Sequence, residues 1–304
     1  MNVTYISLDG HIEVEKYRYV YFVLMFTVYI LIMSSSAMVV YLIMIHKNLH
    51  EPMYIFIAAL LINSMLFSTT VYPKLLIDVL SEKQIITFPV CLLQSFLFYS
   101  LSGSEFLLLA AMAYDRYVSI CKPLQYPTIM RKTKVSIFLF LAWLVPACHI
   151  FVAIIIFTHL KLCNFSLRGI YCNNSINRLF CVFSRAVMIY GIVVLFNMSL
   201  LPLFFILFTY TMILLVAYRS CGEVRKKAAQ TCLPHLFVII NYSSLVTSDV
   251  IVVRLESDIS KTVRFLMTMQ VIICSPLFNP IIYGLKMKEI YKHLRRLCYH
   301  ARGS

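Results

Sequence analysis

Seven long stretches that are almost free of charge restrict what this chain can fold into. They cover residues 19–45, 52–73, 85–113, 135–160, 186–218, 228–248 and 265–285, and Glu105 is the one acid or base inside them. About 20 apolar residues are enough for a helix to cross the hydrocarbon core of a bilayer. Each stretch is too long for a strand, and within lipid the helix is the element that satisfies its own backbone. The fifth stretch is 33 residues long, so one end is expected to project beyond the lipid. Composition agrees: 61% of residues are hydrophobic and 13% charged, against roughly half and a quarter in soluble domains. The expected fold is therefore an all-α membrane protein, a bundle of seven transmembrane helices. Residues 1–18 would form an outer N-terminus, 19–285 the bundle and 286–304 an inner tail. Residues 1–18 are polar and the first apolar run is too long for a signal peptide core, so no cleaved leader is expected.

The loops orient the bundle. With the N-terminus outside, the inner segments hold 16 basic residues against four acids, Glu51, Asp115, Glu223 and Glu289. The outer segments hold 11 bases against eight acids, so the positive-inside bias selects an extracellular N-terminus. The net charge of +14 is this bias rather than a nucleic-acid surface, because the bases sit in short segments between spans. Sequons at Asn2, Asn164 and Asn173 all fall on the outer side and are candidate glycosylation sites. The matching triplet at Asn197 lies inside the fifth stretch and is expected to stay unmodified. Cys91, Cys163, Cys172 and Cys181 flank outer loops, an even number that suggests two disulfides with three pairings open. After the last span, Met287, Ile290, Tyr291, Leu294 and Leu297 recur at helical spacing among bases, as in an amphipathic helix on the inner membrane surface. Cys298 beside it is a candidate for palmitoylation.

Four motifs stand at the span ends: LHEPMY at 49–54, MAYDRYVSIC at 112–121, KAAQTC at 227–232 and PLFNPIIY at 276–283. In this order and spacing they closely resemble the vertebrate odorant receptors, a branch of the rhodopsin-like G-protein-coupled receptors. The wording at 46–64 looks most like fish members. The resemblance implies a small odorant bound in the outer half of the bundle and a heterotrimeric G protein, of the cyclase-stimulating type, engaged inside. It implies no enzymatic activity and no cofactor other than a structural sodium ion. The implied partners are odorant, G protein and membrane lipid.

The resemblance also assigns roles. Asp115, Arg116 and Tyr117 end the third span. A buried Arg is costly without a partner, so Arg116 is expected to pair with Asp115 at rest and to be freed on activation. Tyr210, Asn279, Pro280 and Tyr283 would complete the switch, with Asn279-Pro280 interrupting the seventh helix. Glu105 lies eleven residues before Arg116, on a similar helix face. With Ser64, Ser68 and Asn279 it is a candidate sodium site, or else a protonated carboxyl hydrogen-bonded to its neighbours. The implied disulfides are Cys91–Cys172 and Cys163–Cys181. Candidate pocket residues are Ser95, Phe98, Tyr99 and Ser102 on the third span, Met198 on the fifth, and Ser243, Val246, Thr247 and Val250 on the sixth.

Two positions depart from the family wording. Ser34-Ser35-Ser36 replaces the usual Gly-Asn, with Ser36 as the counterpart of the Asn. Asn241-Tyr242-Ser243 replaces Phe-Tyr-Gly, which leaves Tyr242 and Ser243 both open as the toggle on the sixth span. Other classes fit less well. A solute transporter needs an internal repeat, and seven unrelated spans do not halve. A retinal protein needs a Schiff-base Lys in the seventh span, and 265–285 has none. His149 and His235 stand alone, without a nucleophile that would make an enzyme. A non-olfactory rhodopsin-like receptor is the alternative within the class, and the MAYDRYVSIC and KAAQTC wording argues against it.

Overall fold

The computed structural model describes residues 4–12, 14–181, 185–219, 222–254 and 260–303. Asn2 lies outside them, as do the side chains of Arg225, Lys226, Lys227 and Cys298. In chain order the main elements are β1 (Tyr5–Leu8), α1 (Val14–Ile45), α2 (Pro52–Leu80), β2 (Ile85–Thr87), α3 (Phe88–Cys121), α4 (Lys132–Thr158), β3 (Ser166–Leu167), α5 (Arg185–Arg219), α6 (Gly222–Arg254), α7 (Lys261–Lys286) and α8 (Lys288–Gly303). Helices α1 to α5 and α7 are each long and apolar enough to cross a membrane. Within α6 the apolar segment Cys232–Ser248 supplies the seventh.

Local sequence sets the helix ends. Pro52 opens α2 at a first-turn position, where its missing N–H is no loss. Ser260 caps α7, accepting from the Val263 amide at 3.4 Å. Two features revise the expected spans. The third apolar run begins with the strand β2, and the helix starts only at Phe88. The seventh helix is not interrupted at Pro280; α7 continues through both Pro276 and Pro280. Carbonyls freed by a proline are tolerated inside a bundle when neighbouring groups answer the local polar atoms.

Burial ranks the helices. The most apolar stretch of α3 is 67% buried and that of α4 only 11%. So α3 is the central post and α4 lies at the periphery. The outward faces of α4 and α5 show Phe140, Phe208 and Leu214 to the surroundings, as lipid-facing helices must. Several polar groups point inward and find partners on neighbouring helices. Asn63 on α2 donates to the Leu101 carbonyl of α3 at 3.0 Å and accepts from the indole of Trp143 on α4 at 3.2 Å. One amide thus staples three helices. Tyr72 donates to the Ile272 carbonyl at 3.3 Å and joins α2 to α7.

The outer end carries a small sheet in the order β2-β1-β3. β1 pairs antiparallel with β2, Ile6 opposite Ile86, and parallel with β3, Ser7 opposite Ser166. Ile6, Leu8, Ile86 and Leu167 pack beneath it against the Cys91–Cys172 disulfide. At the edge, the Gly10 amide donates to the Gly169 carbonyl at 3.2 Å. A side chain on Gly10 would collide with the Gly169 backbone at 2.4 Å, so this approach requires glycine. The N-terminal segment is therefore part of a lid made with the loop between α4 and α5.

Two disulfides hold that loop: Cys91–Cys172 across 81 residues and Cys163–Cys181 across 18. Gln94 reinforces the first, accepting from the Cys172 amide at 3.0 Å and donating to the Thr70 carbonyl at 3.1 Å. Losing a native disulfide typically costs about 2–5 kcal/mol. Cys91→Ser and Cys172→Ser are each expected to abolish surface display, measured by flow cytometry on an N-terminally tagged chain. Normal display of either variant would show that the lid folds without this bond.

Candidate functional site

Three polar levels lie along α3, from the lid to the inner end. The outermost is a cavity of about 170 Å³, lined by α3, α4, α5, α6 and α7, by Phe67 of α2 and by Asn177 of the outer loop. A cavity of about 150 Å³ is enough to admit a benzene-sized molecule. Ser95, Phe98, Tyr99, Ser102, Met198, Val246 and Val250 all line it. Ser243 and Thr247 do not; the Thr247 hydroxyl turns back to the Ser243 carbonyl at 2.8 Å. Sequence reading missed the α4 wall, Ile150 to Phe157, because that stretch carries no periodic polar mark.

The lid reaches into this level. Tyr171, beside the disulfide, packs on Phe98 with ring centroids 4.7 Å apart, and Phe98 in turn meets Phe67 at 4.9 Å. A π-helical turn at Phe196–Leu200 in α5 presents Met198 and Ser199 to the cavity. Such turns shift side-chain direction by inserting one residue into the helical repeat. At the cavity floor, Tyr242 packs on Phe106 at 4.7 Å and donates to the Ser102 carbonyl at 2.6 Å. The floor is thus a direct link between α6 and α3. Of the two residues left open as toggle, Tyr242 has this geometry, and the Ser243 hydroxyl is buried without a partner among the described residues.

One turn further in is Glu105, 3% exposed. Its Oε1 accepts from the Ser275 hydroxyl at 3.0 Å and from the Asn279 amide at 2.9 Å. Asn279 also donates to the Ser64 hydroxyl at 2.9 Å, and Ser64 donates to the Leu60 carbonyl at 3.1 Å. The cluster joins α2, α3 and α7. Ser68 is buried close by, but its hydroxyl goes to the Ser64 carbonyl at 2.9 Å rather than to Glu105. Sequence reading missed Ser275, a serine one turn before Asn279 on the same helix.

The innermost level holds Asp115, fully buried, and Arg116, 9% exposed. The Arg116 guanidinium binds Asp115 Oδ2 through Nε at 3.0 Å and through Nη2. The Tyr126 hydroxyl donates to Oδ1 at 2.8 Å, so both carboxylate oxygens are engaged. Tyr117 is half-buried against the same core. Across the bundle, the Tyr210 hydroxyl on α5 hydrogen-bonds His235 Nδ1 on α6. Tyr283 is fully buried in the core shared with Tyr210. The Tyr283 hydroxyl is buried without a hydrogen-bond partner among the described residues. His235 looked isolated in the sequence, because its partner lies 25 residues away on another helix.

Of the candidate sequons, Asn164 is exposed, donating to the Arg178 carbonyl at 2.9 Å. Asn173 is 3% exposed, and its side chain accepts from the Ser175 amide at 3.0 Å. A glycan on the Asn173 Nδ2 would require this buried side chain to reach the surface.

Comparison with known proteins agrees with this arrangement. The profile of the family described as "Olfactory receptor" matches residues 25–300. Human "Olfactory receptor 4B1" is 31% identical over 306 residues, covering 97% of this chain and 95% of the relative. Mouse "Olfactory receptor 4B13" is 30% identical over 298 residues, covering 97% and 96%. The chain therefore belongs to the olfactory receptor family of seven-helix, G-protein-coupled plasma-membrane receptors.

Proposed function

We propose that the chain binds a small, weakly polar odorant in the outer cavity and passes the event along α3, α6 and α7 to a G protein at the inner end. The observation that carries this reading is the Tyr242–Ser102 hydrogen bond, which ties the cavity floor to the helix that bears the Asp115–Arg116 pair. A ligand can shift the equilibrium only through different affinities for the two states. An occupant beside Tyr242 does this by favouring either the floor with the bond or the floor without it.

The inner level has the features of a resting switch. Each buried polar atom without a partner costs about 1–3 kcal/mol. The Tyr283 hydroxyl is such an atom, in the core next to a guanidinium held by one carboxylate. Outward movement of α6 would release Arg116 and let this hydroxyl find a partner. Movement of this kind gives the inner face two packings, which a switch requires. The basic residues of the inner loops would meet a G protein, and coupling to the cyclase-stimulating type follows from the resemblance.

The Glu105 level suits a sodium ion. The Glu105 carboxylate and the Ser64 and Ser275 hydroxyls offer oxygen donors around a single negative charge, and an ion would require Asn279, whose NH2 group now faces Glu105 and Ser64, to turn its amide oxygen inward. Among the described residues no group of three or more His, Cys, Asp or Glu invites a multivalent metal instead. An ion there would hold α2, α3 and α7 together and favour the resting state. No other cofactor is needed. Asn2 and Asn164 are the proposed glycan carriers.

The direct test is an odorant panel applied to the surface-expressed receptor with a cyclic AMP readout; silence across a chemically broad panel, with surface display verified, counts against an odorant ligand. Arg116→Ala is expected to reach the surface and lose the response by roughly tenfold or more, about 1.4 kcal/mol of coupling. Normal signalling in that variant would sink the switch. Glu105→Gln is expected to make the response insensitive to extracellular sodium. If the wild-type response is itself unchanged when sodium is replaced by choline, the ion site is refuted.

A further inference from the structure

Met198 belongs to two cavities. Its other side forms part of a second hollow, about 550 Å³, between α3, α4 and α5. This hollow opens on the flank of the bundle, past Leu141, Leu201 and Phe205, all exposed. Its inner end is closed by the Tyr114 ring, whose centroid is 5.8 Å from Phe138 and 6.4 Å from Phe205. The walls are otherwise apolar except for His149 on α4 and Asn197 in the π-helical turn of α5. Among the described residues, neither the Asn197 amide nor the His149 ring makes a hydrogen bond within the protein.

Those two groups face hydrocarbon, where a bare amide or imidazole is costly and no water answers it. Their depth limits what can. His149 lies nine residues before the outer end of α4 at Thr158, about 14 Å down the helix at 1.5 Å per residue. Asn197 lies twelve residues below Arg185, about 18 Å down α5. Lipid headgroups and a sterol hydroxyl stay near the interface and do not reach this level. A small molecule dissolved in the bilayer, with one oxygen on an apolar body, does reach it.

We propose that this hollow is a membrane-facing binding site for small, weakly polar molecules of the alcohol, aldehyde, ketone or ester class. Asn197 and His149 hold the oxygen and the apolar walls hold the chain. Met198 separates the site from the outer cavity. The π-helical turn makes the arrangement possible, since it directs Asn197 to the hollow and Ser199 to the cavity. The site stands independently of the odorant reading of the outer cavity, and its test does not use signalling.

The purified full-length chain in phosphatidylcholine nanodiscs would be photolabelled with a diazirine-bearing decanol and the labelled peptides mapped by mass spectrometry. Label is expected to concentrate on residues 107–114, 138–149 and 197–205 and to be competed away by excess 1-octanol. It should fall several-fold in the Asn197→Leu, His149→Leu double variant. Leu201→Trp, which blocks the mouth and keeps both polar groups, should have the same effect. Loss of label in either folded variant supports the site. Label spread evenly over all lipid-facing helices, or persisting in both variants, overturns it. Displacement by cholesterol but not by octanol would make the hollow a sterol site and also overturn it. Label confined to the outer cavity would count against the hollow while leaving the odorant reading intact.

Discussion

Hydrocarbon offers no hydrogen bonds, so the polar groups inside this bundle must answer one another, and α3 is where they meet. Asn63 reaches the Leu101 carbonyl, Ser275 and Asn279 reach Glu105, and Arg116 and Tyr126 reach Asp115. Asn63 brings α2 to α3, Ser275 and Asn279 bring α7, and Tyr126 brings the inner loop that follows α3, while Arg116 and Asp115 pair within α3 itself. This is why α3 is the most buried post and why α4, which offers α3 few polar groups, can sit at the edge. The same constraint explains why α7 runs on through Pro276 and Pro280. The side chain next to Pro280 is an amide that donates to two neighbouring helices and fixes the segment in place.

A bundle held by such a column is stiff except where the column is incomplete. Among the described residues, two such places lie beside α6, the cavity floor around Tyr242 and the inner core around His235 and Tyr283. At the first, a single hydroxyl joins α6 to α3. At the second, the Tyr283 hydroxyl is buried without a partner among the described residues. Both places involve α6, so α6 is the helix with the least to lose by moving. The lid above is the opposite case. The sheet, two disulfides and Gln94 fix it, and it delivers Tyr171 to Phe98 as a rigid ceiling for the cavity. Motion driven by an occupant is therefore directed inward and toward α6.

The spans and their orientation were legible because lipid imposes a length and a charge bias that no tertiary contact overrides. The pairing of Arg116 with Asp115 and the place of Asn279 beside Glu105 were legible through motif wording. What escaped the sequence was contact between distant segments. Tyr5 to Leu8 alternates apolar and polar residues, yet four residues read as a strand only once β2 and β3 supply partners. Gln94, Asn63 and Ser275 are ordinary polar residues until the helices they touch are known. Ser243 and Thr247 fell at helical spacing on α6 but miss the cavity. The rotation of α6 is set by Tyr242 reaching α3, and spacing does not reveal that.

On the proposed mechanism, an occupant of the outer cavity moves α6 away from α3, the helix that carries Arg116. The most direct measurement places spin labels, on unnatural amino acids, at Lys134 near the inner end of α4 and at Leu233 on α6, both exposed. The distance between them is then recorded in nanodiscs by pulsed electron resonance, with and without an odorant that activates the receptor. The odorant is expected to lengthen this distance, and Arg116→Ala to shift the distribution toward the longer population already without odorant. An unchanged distribution in a receptor that still signals would contradict this mechanism.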